Sequence, residues 1–176
     1  MTNRLQFMFD FASPNAYLVH KTLDSYLDGV DVKLVYHPVL LGGLFKVTGN
    51  QPPMQAFAPV KGKLDYEHLE IKRYIKKFGL SNYRMNPHFP VNTLLMMRAA
   101  IVAEREGYLL DYIDAGFQCM WEDGLLMSDP DIFITSLTAL GLDGKQLAED
   151  SQDEAVKAKL VFNTQDAADR GAFGIP

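Results

Sequence analysis

The residues best suited to chemistry lie in residues 9–17, where a short apolar segment is followed directly by Ser13 and Pro14. Proline is favoured in the first turn of a helix, so the sequence predicts that Ser13 is the N-cap of a helix. Its hydroxyl and the N–H groups of the first turn would then converge where the helix dipole favours an anion. A serine N-cap is also an ordinary way to begin a helix, so the pattern alone leaves both interpretations open.

Three further stretches combine polar side chains with glycine or proline, at residues 40–53, 86–93 and 173–176. The first carries a cation, Lys46, and an amide, Asn50, while the second enters a helix through prolines and Asn92. In the last, the Ile175-Pro176 bond is a candidate cis peptide that would present the backbone of Ile175 to a ligand. Taken singly, the first is more typical of a surface connection, and the second is also typical of a helix cap.

The elements that must position these residues begin with a βαβ unit. Hydrophobic patterns predict a strand over residues 4–10, a helix over 14–28 and a strand over 32–38. Strand, helix and strand at this spacing predict a parallel pair with a right-handed crossover. Ser13 would then follow the carboxyl end of a strand, where open α/β sheets bind ligands.

Beyond residue 38 the patterns predict helices only, until about residue 170. The predicted helices cover residues 40–47, 66–78, 93–106, 108–121, 129–140, a short piece after 143, and 151–170, the last with Ser151 and Glu154 at capping-box spacing. Residues 171–176 predict a turn that leads into a strand. Since a sheet of two strands leaves its edges unpaired, we expect that a strand-strand-helix segment normally follows Pro176.

The composition and charge of the chain argue against several classes of function. The chain has 176 residues, of which 48% are hydrophobic, and this suffices for one sizeable core. Its net charge of −5, without long blocks of like charge, argues against partners such as nucleic acid or an anionic membrane. One cysteine, Cys119, and four scattered histidines predict neither a disulfide nor a metal site. Without a recognisable signal peptide, we expect a cytoplasmic protein.

Together the four stretches resemble the family of glutathione-dependent 2-hydroxychromene-2-carboxylate isomerases and kappa-class glutathione transferases. The pieces that carry the resemblance are residues 9–18, 40–53, 88–92 and 163–176, in this order. The resemblance implies an α/β, thioredoxin-like domain of the DsbA type, interrupted by a large all-helical insertion. On this basis residues 1–38 and 159–176 form the thioredoxin-like domain and residues 39–158 the insertion, through which a homodimer is expected.

The resemblance also implies a glutathione site. Ser13 matches the serine that hydrogen-bonds the glutathione sulfur, and it stands where redox relatives have the first cysteine of their C-x-x-C motif. Ala16 occupies the second cysteine position, so dithiol-disulfide exchange is not available. Asn50, Ile175 and Pro176 match residues that bind glutathione.

Substrate-side residues follow from the same resemblance. Lys46 matches a lysine that faces the substrate carboxylate in the isomerases, and Asn92 matches a residue near that substrate. Thr93 departs from the pattern, because an aromatic residue is expected at this position. The family's post-proline strands and a turn that grips the γ-glutamyl end of glutathione have no counterpart in this sequence.

The function expected from the resemblance is isomerisation of a 2-hydroxychromene-2-carboxylate-like substrate, with glutathione as a cofactor that is not consumed. Ser13 would stabilise the glutathione thiolate as a hydrogen-bond donor. One alternative is a kappa-like glutathione transferase or peroxidase acting on small aromatic or electrophilic molecules. A second alternative is a non-catalytic thioredoxin-like binding module.

Overall fold

The computed structural model describes residues 3–176, and its centre is a parallel pair of strands. Strands β1 (Asn3–Phe9) and β2 (Val32–Pro38) are joined by helix α1 (Pro14–Leu27). In their register Phe7 lies beside Tyr36 and Phe9 beside Pro38, all on one face of the sheet. This face is packed with aromatic rings. Because β1 and β2 pair in parallel and α1 joins them, the predicted βαβ unit is confirmed.

The rest of the described chain is helical, as the sequence predicts. Eight helices follow β2: α2 (Leu41–Thr48), α3 (Pro53–Ala56), α4 (Lys63–Phe78), α5 (Leu94–Glu106), α6 (Leu109–Trp121), α7 (Pro130–Ala139), α8 (Gly144–Asp150) and α9 (Glu154–Asp169). Helix α9 runs across the boundary between residues 158 and 159, and the division into two domains stays a prediction.

One hydrophobic core covers the site-bearing end of β1. Phe9 and Phe11 pack edge-on against each other, and both lie against Phe117 of α6. The indole N–H of Trp121, also on α6, donates to the carbonyl of Phe11 at 2.8 Å. Helix α6 therefore fixes the backbone immediately before Ser13.

Several sequence-based expectations differ from the structure. The sequence does not predict α3, and α4 begins at Lys63 instead of residue 66. Residues 173–176 are irregular and not a strand, since no neighbouring strand pairs with them among residues 3–176. Ser151 does not cap α9: it is the fully buried C-cap of α8, and its hydroxyl donates to the carbonyl of Ala148 at 2.7 Å. The N-cap of α9 is Asp153.

Candidate functional site

The predicted cap at Ser13 is confirmed. Ser13 precedes α1, has extended backbone angles, and its Oγ accepts a hydrogen bond from the N–H of Ala16 at 3.2 Å. Pro14 has no N–H, and the N–H of Asn15 has no acceptor within the described part of the chain. No acidic residue lies in the first turn. The positive end of α1 therefore keeps a free donor and is not neutralised by its own side chains.

The Ile175-Pro176 bond is cis, as the sequence suggests, and it lies against Ser13. The Ser13 hydroxyl donates to the carbonyl of Ile175 at 3.1 Å, although the two residues are 162 positions apart. Both residues are almost completely buried. The N–H of Ile175 makes no hydrogen bond within residues 3–176, which leaves a backbone donor beside the serine.

Asn50 is brought to the same terminal segment. It follows α2, is exposed, and its Nδ2 donates to the carbonyl of Phe173 at 3.5 Å, which is the upper limit for such a bond. The structure thus places Asn50, Ser13, Ile175 and Pro176 around one segment of backbone.

Asp10 connects the remaining stretches, and its side chain is fully buried. Its Oδ1 accepts from the N–H of Ala12 at 2.9 Å and from the hydroxyl of Thr93 at 2.6 Å. Its Oδ2 accepts from the N–H of Leu41 at 2.7 Å. One carboxylate therefore ties the loop before α1 to the starts of α2 and α5.

Burial dominates the electrostatics of this carboxylate. Desolvation raises the pKa of Asp10 above its usual value, and the hydrogen bonds from Ala12, Thr93 and Leu41 oppose this rise. A raised pKa means that folding into this environment costs free energy in the ionised form. The three donors offset part of that cost.

Lys46 lies on α2, and Asn92 lies just before the N-cap of α5; Asp10 holds the starts of both helices. Lys46 is exposed in the last turn of α2 and makes no ion pair among residues 3–176. Asn92 is also exposed, and its Oδ1 accepts from the N–H of Leu94 at 3.0 Å. Helix α5 begins at Leu94 with Thr93 as its N-cap, so Asn92 supports the helix start from one residue further out than the cap.

Two concave surfaces lie away from Ser13. A cavity of about 470 Å³ is lined by polar residues of α6, including Asp111, Asp114 and Gln118, with Lys21. Another, of about 790 Å³, is bordered by Arg4, strand β2 and the turn between α5 and α6. Neither includes a residue of the candidate site.

Other chemistries find little support in residues 3–176. No group of three or more histidine, cysteine or acidic residues is arranged to hold a metal ion there. Cys119 is buried, and burial raises the pKa of its thiol to about 11, so it is a poor nucleophile at neutral pH. Nor does this part of the chain contain a helix of the length and apolar character that a membrane crossing requires.

Sequence reasoning missed the role of Asp10 and of Thr93. The resemblance predicts an aromatic side chain near the substrate at the position of Thr93. Thr93 is instead 4% exposed, and its hydroxyl donates a hydrogen bond to Asp10. A signal was present, because an acidic residue in the apolar run Phe9-Asp10-Phe11 is unusual and requires partners when buried. The partners themselves are far away in sequence and could not be identified from it.

Comparisons with known proteins identify the family of this chain. Residues 4–176 match the family described as the DSBA-like thioredoxin domain. Glutathione S-transferase kappa 1 of Rattus norvegicus is 26% identical over 98% of this chain and 78% of its own length. The 2-hydroxychromene-2-carboxylate isomerase of Pseudomonas putida is 24% identical over 98% of this chain and 82% of its own length.

Solved structures give the same fold. A 2-hydroxychromene-2-carboxylate isomerase superposes with a TM-score of 0.80 at 22% identity, covering 98% of this chain and 83% of that one. A probable DsbA oxidoreductase from Streptomyces coelicolor gives 0.71 at 20% identity, with coverage of 98% and 78%. The match over nearly the whole sequence shows that this chain belongs to the DsbA-like thioredoxin family, with kappa-class glutathione transferases and 2-hydroxychromene-2-carboxylate isomerases among its relatives.

Proposed function

We propose that this chain is a glutathione-dependent isomerase of 2-hydroxychromene-2-carboxylate-like substrates. The observation that carries the proposal is the position of the Ser13 hydroxyl, at the start of α1 and 3.1 Å from the carbonyl of Ile175. Relatives named as kappa-class transferases and as isomerases support a glutathione-related activity.

The residues present fit a thiol-bearing peptide. The free N–H and the carbonyl of Ile175, beside a cis proline, offer a donor and an acceptor to a peptide backbone. Asn50 adds an exposed amide that donates to the carbonyl of Phe173 in the same segment. Bound glutathione would supply a thiolate that adds reversibly to an electron-poor carbon of the substrate.

Ser13 would act as a donor and not as a nucleophile. Its hydroxyl donates to Ile175 in the structure, and rotation about the Cβ–Oγ bond would turn the same hydrogen towards a sulfur anion. A hydrogen bond to an anion requires no base to activate the serine. Together with the free N–H of Asn15 and the dipole of α1, it would favour the thiolate over a thiol whose pKa is about 8.5 when free.

Lys46 would bind the substrate carboxylate. Its ammonium group is exposed, lies on a helix anchored to Asp10, and has no acidic partner within residues 3–176. A flexible lysine acts as a point charge, which suits a carboxylate whose position changes during isomerisation. Asn92, which lies just before the N-cap of α5, would contact the same substrate.

A kappa-like transferase or peroxidase is the second candidate, and the relative named as glutathione S-transferase kappa 1, which is 26% identical, supports it. It would use the same thiolate but join it permanently to an electrophile, or use it to reduce a peroxide.

Product analysis distinguishes these functions. The purified protein is incubated with glutathione and either a 2-hydroxychromene-2-carboxylate, a chloronitrobenzene or an organic peroxide, and the products are identified by mass and chromatography. An isomeric product with glutathione recovered in full supports the isomerase. A stable conjugate or oxidised glutathione supports the transferase or peroxidase, and failure to bind immobilised glutathione would point to a non-catalytic binding module.

A further inference from the structure

The geometry points to Asp10 as a positioning residue that joins the glutathione side of the site to its substrate side. This inference rests on the proposed function, because it assigns the two sides by the roles proposed for Ser13, Lys46 and Asn92. It adds a residue for which neither the sequence pattern nor the comparisons give a role.

On the glutathione side, Asp10 shapes the turn that carries Ser13. Its main-chain carbonyl accepts from the N–H of Ser13 at 3.1 Å, and its Oδ1 accepts from the N–H of Ala12 at 2.9 Å. Both bonds fix the backbone between β1 and α1. The orientation of the Ser13 hydroxyl towards Ile175 depends on this turn.

On the substrate side, Asp10 caps a helix that has no cap of its own. The N-cap of α2 is Leu40, whose side chain cannot accept a hydrogen bond. The first-turn N–H of Leu41 donates instead to Asp10 Oδ2 at 2.7 Å. Lys46 lies later in the same short helix, so its position follows from this cap.

The second substrate-side element is held by Thr93. Its hydroxyl donates to Asp10 Oδ1 at 2.6 Å, and the pair is buried. Thr93 directly follows Asn92 and is the N-cap of α5. Asp10 therefore contacts the neighbour of one proposed substrate residue and the helix of the other.

A carboxylate is required because both of its oxygens accept hydrogen bonds. An asparagine in the same place would keep one oxygen and replace the other by an NH₂ group, which is a donor. This group would face either the N–H of Leu41, or the N–H of Ala12 together with the Thr93 hydroxyl, and all of these are donors as well. Facing Leu41 sets the NH₂ group against one donor instead of two. Asp10→Asn should thus release the start of α2, which carries Lys46, and keep the turn that carries Ser13, while changing the volume of the side chain very little.

The test compares Asp10→Asn, Thr93→Val and Thr93→Ser in the full chain. For Asp10→Asn we expect kcat/KM for the carboxylate substrate to fall at least about tenfold, while the glutathione Kd measured by calorimetry stays within about threefold. Thr93→Val should lower kcat/KM for the carboxylate substrate by a smaller factor. Thr93→Ser, which keeps the hydroxyl, should have kcat/KM close to that of the wild type. Thr138→Val is the matched control, because its hydroxyl is exposed on α7 and bonds only to the Ile134 carbonyl.

Two results would overturn the inference. One is wild-type kcat/KM in both Asp10→Asn and Thr93→Val, and the other is an equal loss of substrate turnover and glutathione affinity, as a general packing defect would produce. If the wild type itself neither binds glutathione nor turns over substrate, the proposed function fails instead. The positioning role is then read from amide hydrogen exchange, which should become faster at Leu41 in Asp10→Asn but not in Thr138→Val if Asp10 holds α2.

Discussion

The Ser13 hydroxyl donates to the carbonyl of Ile175, and the proline that follows Ile175 is cis. The contact sets a serine at a helix start against backbone from the opposite end of the sequence. In the function proposed above, glutathione supplies the sulfur and the Ser13 hydroxyl donates to it.

Replacing Ser13 by alanine removes that donor. We expect the pKa of bound glutathione to rise towards its value of about 8.5 in solution, and turnover to fall about 10- to 100-fold. The thiolate absorbance of the complex, followed against pH, measures the first effect. Ser25→Ala is the matched control, since Ser25 lies on the same helix and its hydroxyl donates only to the carbonyl of Thr22. An unchanged thiol pKa in Ser13→Ala would contradict the role proposed for Ser13.

Replacing Lys46 by methionine keeps most of the length of the side chain and removes its charge. We expect KM for the carboxylate substrate to rise about 10-fold, because a hydrogen-bonded charge pair is lost, with little change in glutathione affinity. Lys46→Arg should retain part of the affinity, since the charge remains. Steady-state kinetics at fixed glutathione measures both. Lys145→Met, at an exposed lysine of α8, should behave as the wild type, and a KM insensitive to Lys46→Met would exclude this residue from the substrate site.

We expect His20 to make the free energy of unfolding depend on pH. Its Nδ1 shares a 2.8 Å hydrogen bond with the Tyr36 hydroxyl and its Nε2 lies 2.8 Å from Asp114 Oδ1. Burial lowers the pKa of His20 below its usual 6.5, although Asp114 opposes this shift. The unfolded chain therefore binds the proton more readily, and the free energy of unfolding should fall as pH drops from about 6.5 through the folded pKa.

Urea unfolding at a series of pH values tests this dependence. His20→Gln removes the titrating group and should flatten the curve between neutral pH and the folded pKa. Burial also lowers the pKa of His37, so His37→Gln should remove a further part of the slope. If the free energy of unfolding depended on pH equally in the wild type and in the variant that carries both His20→Gln and His37→Gln, other groups would be responsible.

Two glycine-to-alanine changes should act in opposite directions. A Cβ at Gly116 of α6 would meet the ring of Phe11 at 2.5 Å, and we expect a loss of about 1–3 kcal/mol because both groups are in the core. At Gly42 of α2 a Cβ would meet nothing within 4 Å, and we expect a gain of up to about 1 kcal/mol from helix propensity. Denaturant unfolding measures both, and a neutral Gly116→Ala would mean that Phe11 can move aside.

Much of the fold could be predicted because it depends on local signals. The alternation in β1, the Ser13-Pro14 start of α1 and the Asp129-Pro130 start of α7 are each encoded within a few residues, and the structure has all three. Ser151 shows where such signals fail. Its spacing to Glu154 suits a capping box, but burial against the end of α8 directs its hydroxyl to Ala148 instead.

The sequence predicts the residues of the candidate site but not the hydrogen bonds that join them. Ser13, Lys46, Asn50, Asn92 and the terminal Ile175-Pro176 stand out as residue types at helix starts and irregular segments. The bonds of Asp10 to Leu41 and Thr93 span much of the sequence and depend on how α2 and α5 pack, which no local pattern specifies. Whether the named residues bind glutathione and substrate stays a prediction.

The hydrogen bonds to Phe173 and Ile175 have a consequence for biosynthesis. Their partners Asn50 and Ser13 leave the ribosome more than a hundred residues earlier, as the separations of 123 and 162 positions show. Until residue 175 has emerged, the strand pair and early helices can form while the serine still lacks its neighbour. A fragment cut before residue 173 would keep much of the core yet lose the backbone that we propose binds glutathione.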